Sequence, residues 1–204
     1  MTTIPLLSCA LIGGAVSWSF AEYALHNWLG HLGRGRNDFS REHLAHHSQP
    51  TYFTSLTKKV TTGAMVLSIL AVGAVALFGP IYGLVAVASF GASYTMYEVL
   101  HRRIHTHPPT GPYSRFVRKH HYAHHFCDPS QNHGVTSPMW DIVFGTYTPA
   151  GRIPVVARHA MDWLCDEAGV VHPELAADYE IVRRAGGRPS RPAPRTPEPV
   201  AGAA

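Results

Sequence analysis

The chain has little cysteine and little charge. Its 204 residues include three cysteines, and only 15% of the residues are charged. Cys9, Cys127 and Cys165 are too few and too widely separated for a disulfide framework or a thiolate zinc site, so a reducing compartment is favoured. The length suits one domain and leaves little room for a second.

Basic residues are missing from two long stretches. Neither residues 1–31 nor residues 60–100 contain a lysine or an arginine. Within these stretches lie three apolar runs, and each approaches the length of about 20 residues that a helix needs to cross a bilayer. We therefore predict an all-α integral membrane protein with about three transmembrane helices. The runs are Ile4–Leu25, Val60–Phe78 and Ile81–Leu100, with a hairpin turn expected at Gly79-Pro80.

The basic residues that are present indicate an orientation. All seventeen lie in residues 32–59 or after His101. By the positive-inside rule both segments face the cytoplasm, which places the N-terminus outside. The first run lacks the basic start of a cleavable signal peptide, so we expect a retained anchor. Because topology accounts for the net charge of +4, no nucleic-acid partner is expected.

Histidine is in excess, with fifteen histidines against thirteen acidic residues. Ten of them form four clusters, which can all meet at one membrane face. Since positions i, i+3 and i+4 of a helix share a face, the imidazoles of one cluster can point at a common centre. The first cluster has a looser spacing, and we expect one of its members where the helix ends. The clusters are His26 and His31; His43, His46 and His47; His101 and His105; and His121, His124 and His125.

Ten imidazoles are too many for one metal ion and suit two adjacent ions with five or six ligands each. We therefore predict a cytoplasmic helical cap that holds a histidine-rich di-metal site. Imidazole binds iron, zinc, copper and nickel, but zinc hydrolases usually need only three protein ligands. The dense imidazole shell therefore favours two iron ions that stay bound through a redox cycle, with zinc possible in a purified sample. A membrane metal carrier is the alternative from another class, although its ligands should lie near the bilayer midplane.

Metal-bound imidazoles generally donate their second N–H to a carboxylate or a carbonyl. Glu22 precedes His26 by four residues, and Glu98 precedes His101 by three. Both glutamates lie near the ends of apolar runs, where an unpaired carboxylate is costly. They either support the ligands or extend to the membrane interface. Two further candidates for this supporting role, near the fourth cluster, are His133 and Asp141.

Together the clusters resemble the fatty acid hydroxylase/sterol desaturase superfamily. The most specific stretches are His121-Tyr-Ala-His-His-Phe126 and Gly134-Val-Thr-Ser-Pro-Met-Trp-Asp-Ile-Val-Phe-Gly-Thr146. The resemblance runs from about Ala21 to Thr148, and the later stretch is most similar to lipid 2-hydroxylases that act on fatty acyl chains. His133 differs from those enzymes, in which an aromatic residue is common at this place.

The resemblance implies a membrane-embedded non-haem di-iron enzyme, a monooxygenase that hydroxylates a lipid C–H bond with molecular oxygen. The ten clustered histidines are carried over as the metal ligands, and no other catalytic residue is implied. No haem module is recognisable, so the electrons are expected from a separate ferredoxin or cytochrome b5 type donor with its reductase. Carotenoid ring hydroxylation and sterol or lipid desaturation are alternative reactions at the same centre.

The chain divides into three predicted regions. Residues 1–148 form a fatty acid hydroxylase-like catalytic domain in the membrane. Residues 149–185 form a helical extension, because a proline and early acids begin the segment from Pro173 and arginines end it. Residues 186–204 are rich in proline, arginine and alanine without apolar periodicity, so this tail is predicted to be disordered.

Overall fold

The structure is a computed structural model that describes residues 3–183. It is mostly helical, as predicted, but also contains a two-stranded sheet. The predicted disordered tail at 186–204 lies outside the described residues. The helices, in chain order, are α1 (Thr3–Ala24), which continues directly as a π-helix (Leu25–His31), then α2 (Asp38–Ser48), α3 (Leu56–Thr106), α4 (Pro112–Phe126) and α5 (Met139–Phe144).

Helix α3 reverses direction near its middle. Gly79 has φ +77° and ψ 166°, which no helix contains, and Pro80 follows it without an N–H to donate. Residues on either side of this break lie against each other, so α3 consists of two antiparallel arms, as the predicted hairpin requires. From the open end to the turn, the pairs are Lys59 with Glu98, Gly63 with Tyr94, Leu67 with Gly91, and Ala74 with Gly83.

Two helical segments are long and apolar enough to cross a bilayer. They are Thr3–His31 and Leu56–Thr106, and the second contains the reversal at Gly79. Large apolar side chains on the arms, such as Val72 and Leu77, are about three-quarters exposed. A continuous apolar surface of this kind is typical of helices surrounded by lipid, so these helices indicate an integral membrane protein.

Helix α1 packs closely against the second arm of α3 at Gly14. A Cβ atom built on Gly14 would lie 2.1 Å from the Ala86 carbonyl oxygen and 2.9 Å from Ser89 Cβ. One turn away, the Ser89 hydroxyl donates to the Leu11 carbonyl across the same contact at 2.6 Å. Small residues at a helix contact allow backbones to approach in this way.

Replacing Gly14 by alanine should therefore separate α1 from the hairpin. We expect Gly14→Ala to lower the midpoint of thermal unfolding in detergent by several degrees, which corresponds to about 2 kcal/mol for an overpacked contact. Gly13→Ala is the matched control, because a Cβ atom at Gly13 meets nothing within 4 Å. Equal unfolding midpoints for the two variants would contradict this packing.

The described part of the C-terminal region contains strands instead of the predicted helical extension. Residues 153–156 (β1, Ile153–Val156) and 179–182 (β2, Tyr179–Val182) pair in parallel, with Ile153 opposite Tyr179. Turns occupy residues 173–178, so the helix expected at 149–185 is wrong over these residues. The proline and the charges that suggested a helix are local signals. They are overridden because Tyr179 is fully buried, with its ring 5.9 Å from that of Tyr122 in α4.

Candidate metal centre

The ten clustered histidines come together at one end of the helices. They form two groups of five, and within each group the ligand atoms lie within 4.8 Å of one another. The π-helix, α2, α3 and α4 supply them, and α2 and α4 contribute to both groups. The first group is His26, His31, His43, His47 and His124, and the second group is His46, His101, His105, His121 and His125.

The π-helix explains how His26 and His31 belong to one group. In an α-helix, side chains five residues apart point about 140° away from each other. In a π-helix the i→i+5 hydrogen bonds place such residues on one face, and the two imidazole centroids lie 5.4 Å apart. Both histidines therefore lie within the helix, whereas the sequence suggested that one lies at its end.

The clusters in α2 and α4 are divided between the two groups. In α2, His43 and His47 belong to the first group and His46 to the second. Because neighbouring residues of an α-helix point about 100° apart, His46 and His47 cannot face the same centre. In α4 the arrangement is reversed, because His121 and His125 belong to the second group and His124 to the first. The expectation that each cluster points at one common centre is therefore wrong for these two clusters.

The nitrogen atoms at the centre are too crowded to be explained by hydrogen bonds. The Nε2 atom of His124 lies 2.8 Å from Nε2 of His26, 2.9 Å from that of His31 and 3.1 Å from that of His47. One imidazole nitrogen either donates or accepts a single hydrogen bond, so three such neighbours exceed its capacity. The atoms converge on a shared point instead.

These distances fit a metal ion at that point. Two imidazole nitrogens bound at about 2.1 Å and at right angles around one ion lie about 3.0 Å apart. In the second group, His101 Nε2 lies 3.1 Å from Nε2 of both His46 and His121, and His105 Nε2 lies 2.9 Å from that of His121. The residues present therefore suit two ions with several imidazoles each.

Backbone carbonyls orient at least two of the rings. His46 Nδ1 lies 2.9 Å from the Tyr52 carbonyl oxygen, and His124 Nδ1 lies 2.6 Å from that of Gln131. Since a carbonyl only accepts, each Nδ1 carries the hydrogen, and each Nε2 presents its lone pair to the centre. Sequence reasoning missed Tyr52 and Gln131, because a backbone carbonyl leaves no signal in residue type.

Burial keeps the imidazoles of the α2 and α4 clusters neutral. Loss of hydration lowers the pKa of His46 to about 4 and that of His47 to about 2. The pKa of His124 is also lowered well below its ordinary value, first by burial and then by the neighbouring histidines. Neutral imidazoles with free lone pairs are the form that binds a metal ion.

The carboxylates expected to support the ligands hold other parts of the fold. Glu22 is buried and accepts hydrogen bonds from the backbone N–H of Val135 and Thr136 and from the Thr136 hydroxyl, at 2.6–2.7 Å. Glu98 pairs with Lys59 across the open end of the hairpin. Neither contacts an imidazole, so their predicted role as partners of the ligands is wrong.

Asp141 is fully buried and holds the loop that follows α4. Its carboxylate accepts from the backbone N–H of His133 and Gly134 at 2.8 Å and from the Thr146 hydroxyl at 2.7 Å. His120 Nε2 lies 3.2 Å from the same carboxylate and belongs to neither group of imidazoles. The pKa of Asp141 lies well below its ordinary value, because these hydrogen bonds outweigh the effect of burial.

His133 lies beside the first group without belonging to it. Its ring centroid is 5.2 Å from that of His124 and 5.6 Å from that of His26. The loop held by Asp141 brings it there. Of the four supporting candidates from the sequence, only His133 therefore neighbours the ligand rings directly.

Three side chains that the sequence did not reveal close the C-terminal end of α3. Arg118 donates to the carbonyls of Arg103 and His107, the Tyr122 hydroxyl donates to that of Ile104, and Trp163 Nε1 donates to that of His105. The last carbonyls of a helix have no partner within it, so these contacts satisfy them. They also fix the turn that carries His105.

A cavity of about 90 Å³ reaches both groups from outside. His43 of the first group and His46 and His101 of the second lie in its wall. Phe39, Phe53 and Tyr97 supply apolar surface, and the Lys59–Glu98 pair lies at the same cavity.

Long apolar helices that end at two adjacent groups of five imidazoles are typical of helical, histidine-rich membrane proteins. A sequence profile described as fatty acid hydroxylase matches residues 11–146, which are two-thirds of the chain. The chain belongs to the fatty acid hydroxylase family, as the resemblance of its motifs implies.

Named relatives and a solved structure agree with this assignment. The dihydroceramide fatty acyl 2-hydroxylase FAH1 of Arabidopsis thaliana is 32% identical, over 74% of this chain and 65% of that protein. The fatty acid 2-hydroxylase of Homo sapiens is 24% identical, over 67% of this chain and 38% of that protein. The chain thus spans 38–65% of the length of these two relatives.

The solved structure is that of full-length scs7p, in which only the hydroxylase domain is visible. It aligns with a TM-score of 0.60 and 26% identity, over 74% of this chain and 59% of that chain. The fold described above is therefore shared with a known hydroxylase domain.

Proposed function

We propose that this protein hydroxylates an unactivated C–H bond of a membrane lipid, most directly a fatty acyl chain, at a non-haem di-iron centre. The observation that carries this proposal is the pair of adjacent five-imidazole groups at the ends of long apolar helices. The named relatives act on fatty acids and dihydroceramide fatty acyl chains, which supports an acyl substrate.

The ten histidines would hold two iron ions, five imidazoles to each. Two iron ions in these positions supply the electron transfer to dioxygen that attack on an unactivated C–H bond requires. The imidazoles are neutral before metal binds, so binding needs no proton release from the histidines of α2 and α4. A purified sample can contain zinc instead, because imidazole accepts either metal.

The overall reaction balances with two electrons from outside the chain. One C–H bond and one dioxygen molecule, with two electrons and two protons, give one C–OH group and one water molecule. We assign the electrons to a ferredoxin or cytochrome b5 type donor with its reductase. The basic residues flanking the apolar helices support placing the centre, and this donor, on the cytoplasmic side, with α1 and both arms of α3 crossing the membrane.

The cavity between α2 and α3 supports a route for the reacting carbon. It is lined by imidazoles of both groups, so a methylene that enters it approaches both iron positions. The aromatic rings of Phe53 and Tyr97 offer apolar contact and exclude water from the reacting atoms.

Lipid analysis of cells that produce the protein with a reductase and its donor tests this function. We expect hydroxylated acyl chains in wild-type extracts and none with His105→Ala, which removes one predicted ligand. Cells that also contain carotenoids and sterols make the alternatives visible in the same extract. Hydroxylated carotenoids or new double bonds without hydroxylated acyl chains would overturn the acyl assignment, and metal transport into vesicles without any oxidised lipid would favour a carrier.

A further inference from the structure

His133 is a buried imidazole with no hydrogen-bond partner for either ring nitrogen within the described part of the chain. Its side chain is 2% exposed, and only its backbone N–H is paired, with Asp141. Buried polar atoms in proteins are nearly always satisfied by protein, water or ligand. The ring of His133 therefore needs a partner that is not a protein atom.

The Asp141 carboxylate is not the missing hydrogen-bond partner of the His133 ring. Each of its two carboxylate oxygens already accepts two hydrogen bonds, from His133 N and Thr146 Oγ1 on one side and from Gly134 N and His120 Nε2 on the other. A carboxylate has about four acceptor sites, so it is saturated. His133 Nδ1 lies 3.6 Å from it, which is too far for a hydrogen bond.

The free imidazole faces one group only. The rings of His26, His31 and His124, all of the first group, lie 5.2–5.7 Å from the ring of His133, and Tyr23 closes the other side at 5.6 Å. The second group is bordered instead by the rings of Phe53, Tyr97 and Tyr122. The two metal positions thus differ in whether an imidazole outside the ten clustered histidines lies beside them.

We propose that His133 is a positioning residue that hydrogen-bonds a small polar ligand held at the first group. This inference rests on the proposed di-iron centre. An imidazole always carries at least one N–H donor, and both ring nitrogens are free here, so the ligand class is that of small molecules or anions with lone pairs, such as azide. The asymmetry predicts that such a ligand is stabilised at the first iron position rather than at the second.

Azide titration of the oxidised, iron-loaded protein tests this assignment without turnover. The charge-transfer absorption of the azide complex gives its dissociation constant for wild type, His133→Phe and His133→Gln. His172→Phe is the matched control, because it makes the same change at a half-buried histidine outside the centre. Iron content and the thermal unfolding midpoint are measured on each protein first.

We expect His133→Phe to keep two irons and its unfolding midpoint but to bind azide about tenfold more weakly, the equivalent of one hydrogen bond. His133→Gln, which can still donate, should recover most of the affinity, and His172→Phe should match wild type. Unchanged azide affinity in His133→Phe would overturn the assignment, and so would loss of iron, which would make His133 a ligand. Wild-type protein that binds no iron would overturn the proposed function itself, before azide is added.

Discussion

Replacing His124 by alanine is expected to abolish lipid hydroxylation and to remove at least one of the two irons. Its Nε2 atom is the most crowded in the first group, with three other imidazole nitrogens within 3.1 Å. Loss of a ligand at this point leaves four imidazoles that no longer surround the ion. Iron per chain, measured by mass spectrometry on purified protein, should fall from about two to about one or less.

The neighbouring variant His120→Ala separates a ligand effect from a folding effect. His120 lies on the same helix but pairs with Asp141, at 3.2 Å, and belongs to neither group of imidazoles. We expect it to unfold at a lower temperature and still to bind two irons. Equal iron loss in the two variants would show that damage to α4, rather than loss of a ligand, removes the metal.

Asp141→Asn is expected to lower the free energy of unfolding by about 3 kcal/mol. The amide has one accepting oxygen and one donating nitrogen. One carboxylate oxygen of Asp141 faces the backbone N–H of His133, and the other faces that of Gly134. In either orientation of the asparagine amide, its NH₂ group would therefore face one of these N–H donors and could not accept from it. The measurement is the midpoint of thermal unfolding in detergent.

Asp162→Asn is the control for this substitution, because it makes the same chemical change at an exposed aspartate. Its unfolding midpoint should match that of the wild type. If Asp141→Asn also unfolds like the wild type, the hydrogen bonds from His133, Gly134 and Thr146 contribute little, and another contact must hold the loop.

Residue spacing was sufficient to select the histidines of the centre. All ten lie in the two groups, although the α2 and α4 clusters are each divided between them. Their role as iron ligands stays a prediction. The Gly79-Pro80 pair between two apolar runs also predicted the hairpin, and Gly79 has the non-helical backbone that this turn requires.

Spacing could not show the π-helix or the division of α2 and α4 between two centres. Both depend on how helices from distant parts of the chain pack together. The same holds for Glu22, whose nearest histidine in sequence is His26 but whose partners are Val135 and Thr136, more than a hundred residues away.

The helix predicted in the C-terminal region was wrong for the same reason. Its proline, acids and arginines are typical of helix ends, yet β2 forms because Tyr179 packs into a core with Tyr122 and Ile153. Trp163 lies in this region and donates to the His105 carbonyl, so residues beyond the matched family profile take part in holding a predicted ligand.

The most direct test of the account is turnover of the purified, iron-loaded protein in lipid vesicles under ¹⁸O₂, with reductase and donor supplied. We expect a hydroxylated acyl chain that carries one ¹⁸O atom, two irons per chain before the reaction, and no product without the donor. Two bound irons with no labelled hydroxyl on any lipid, or a hydroxyl whose oxygen comes from water, would contradict it.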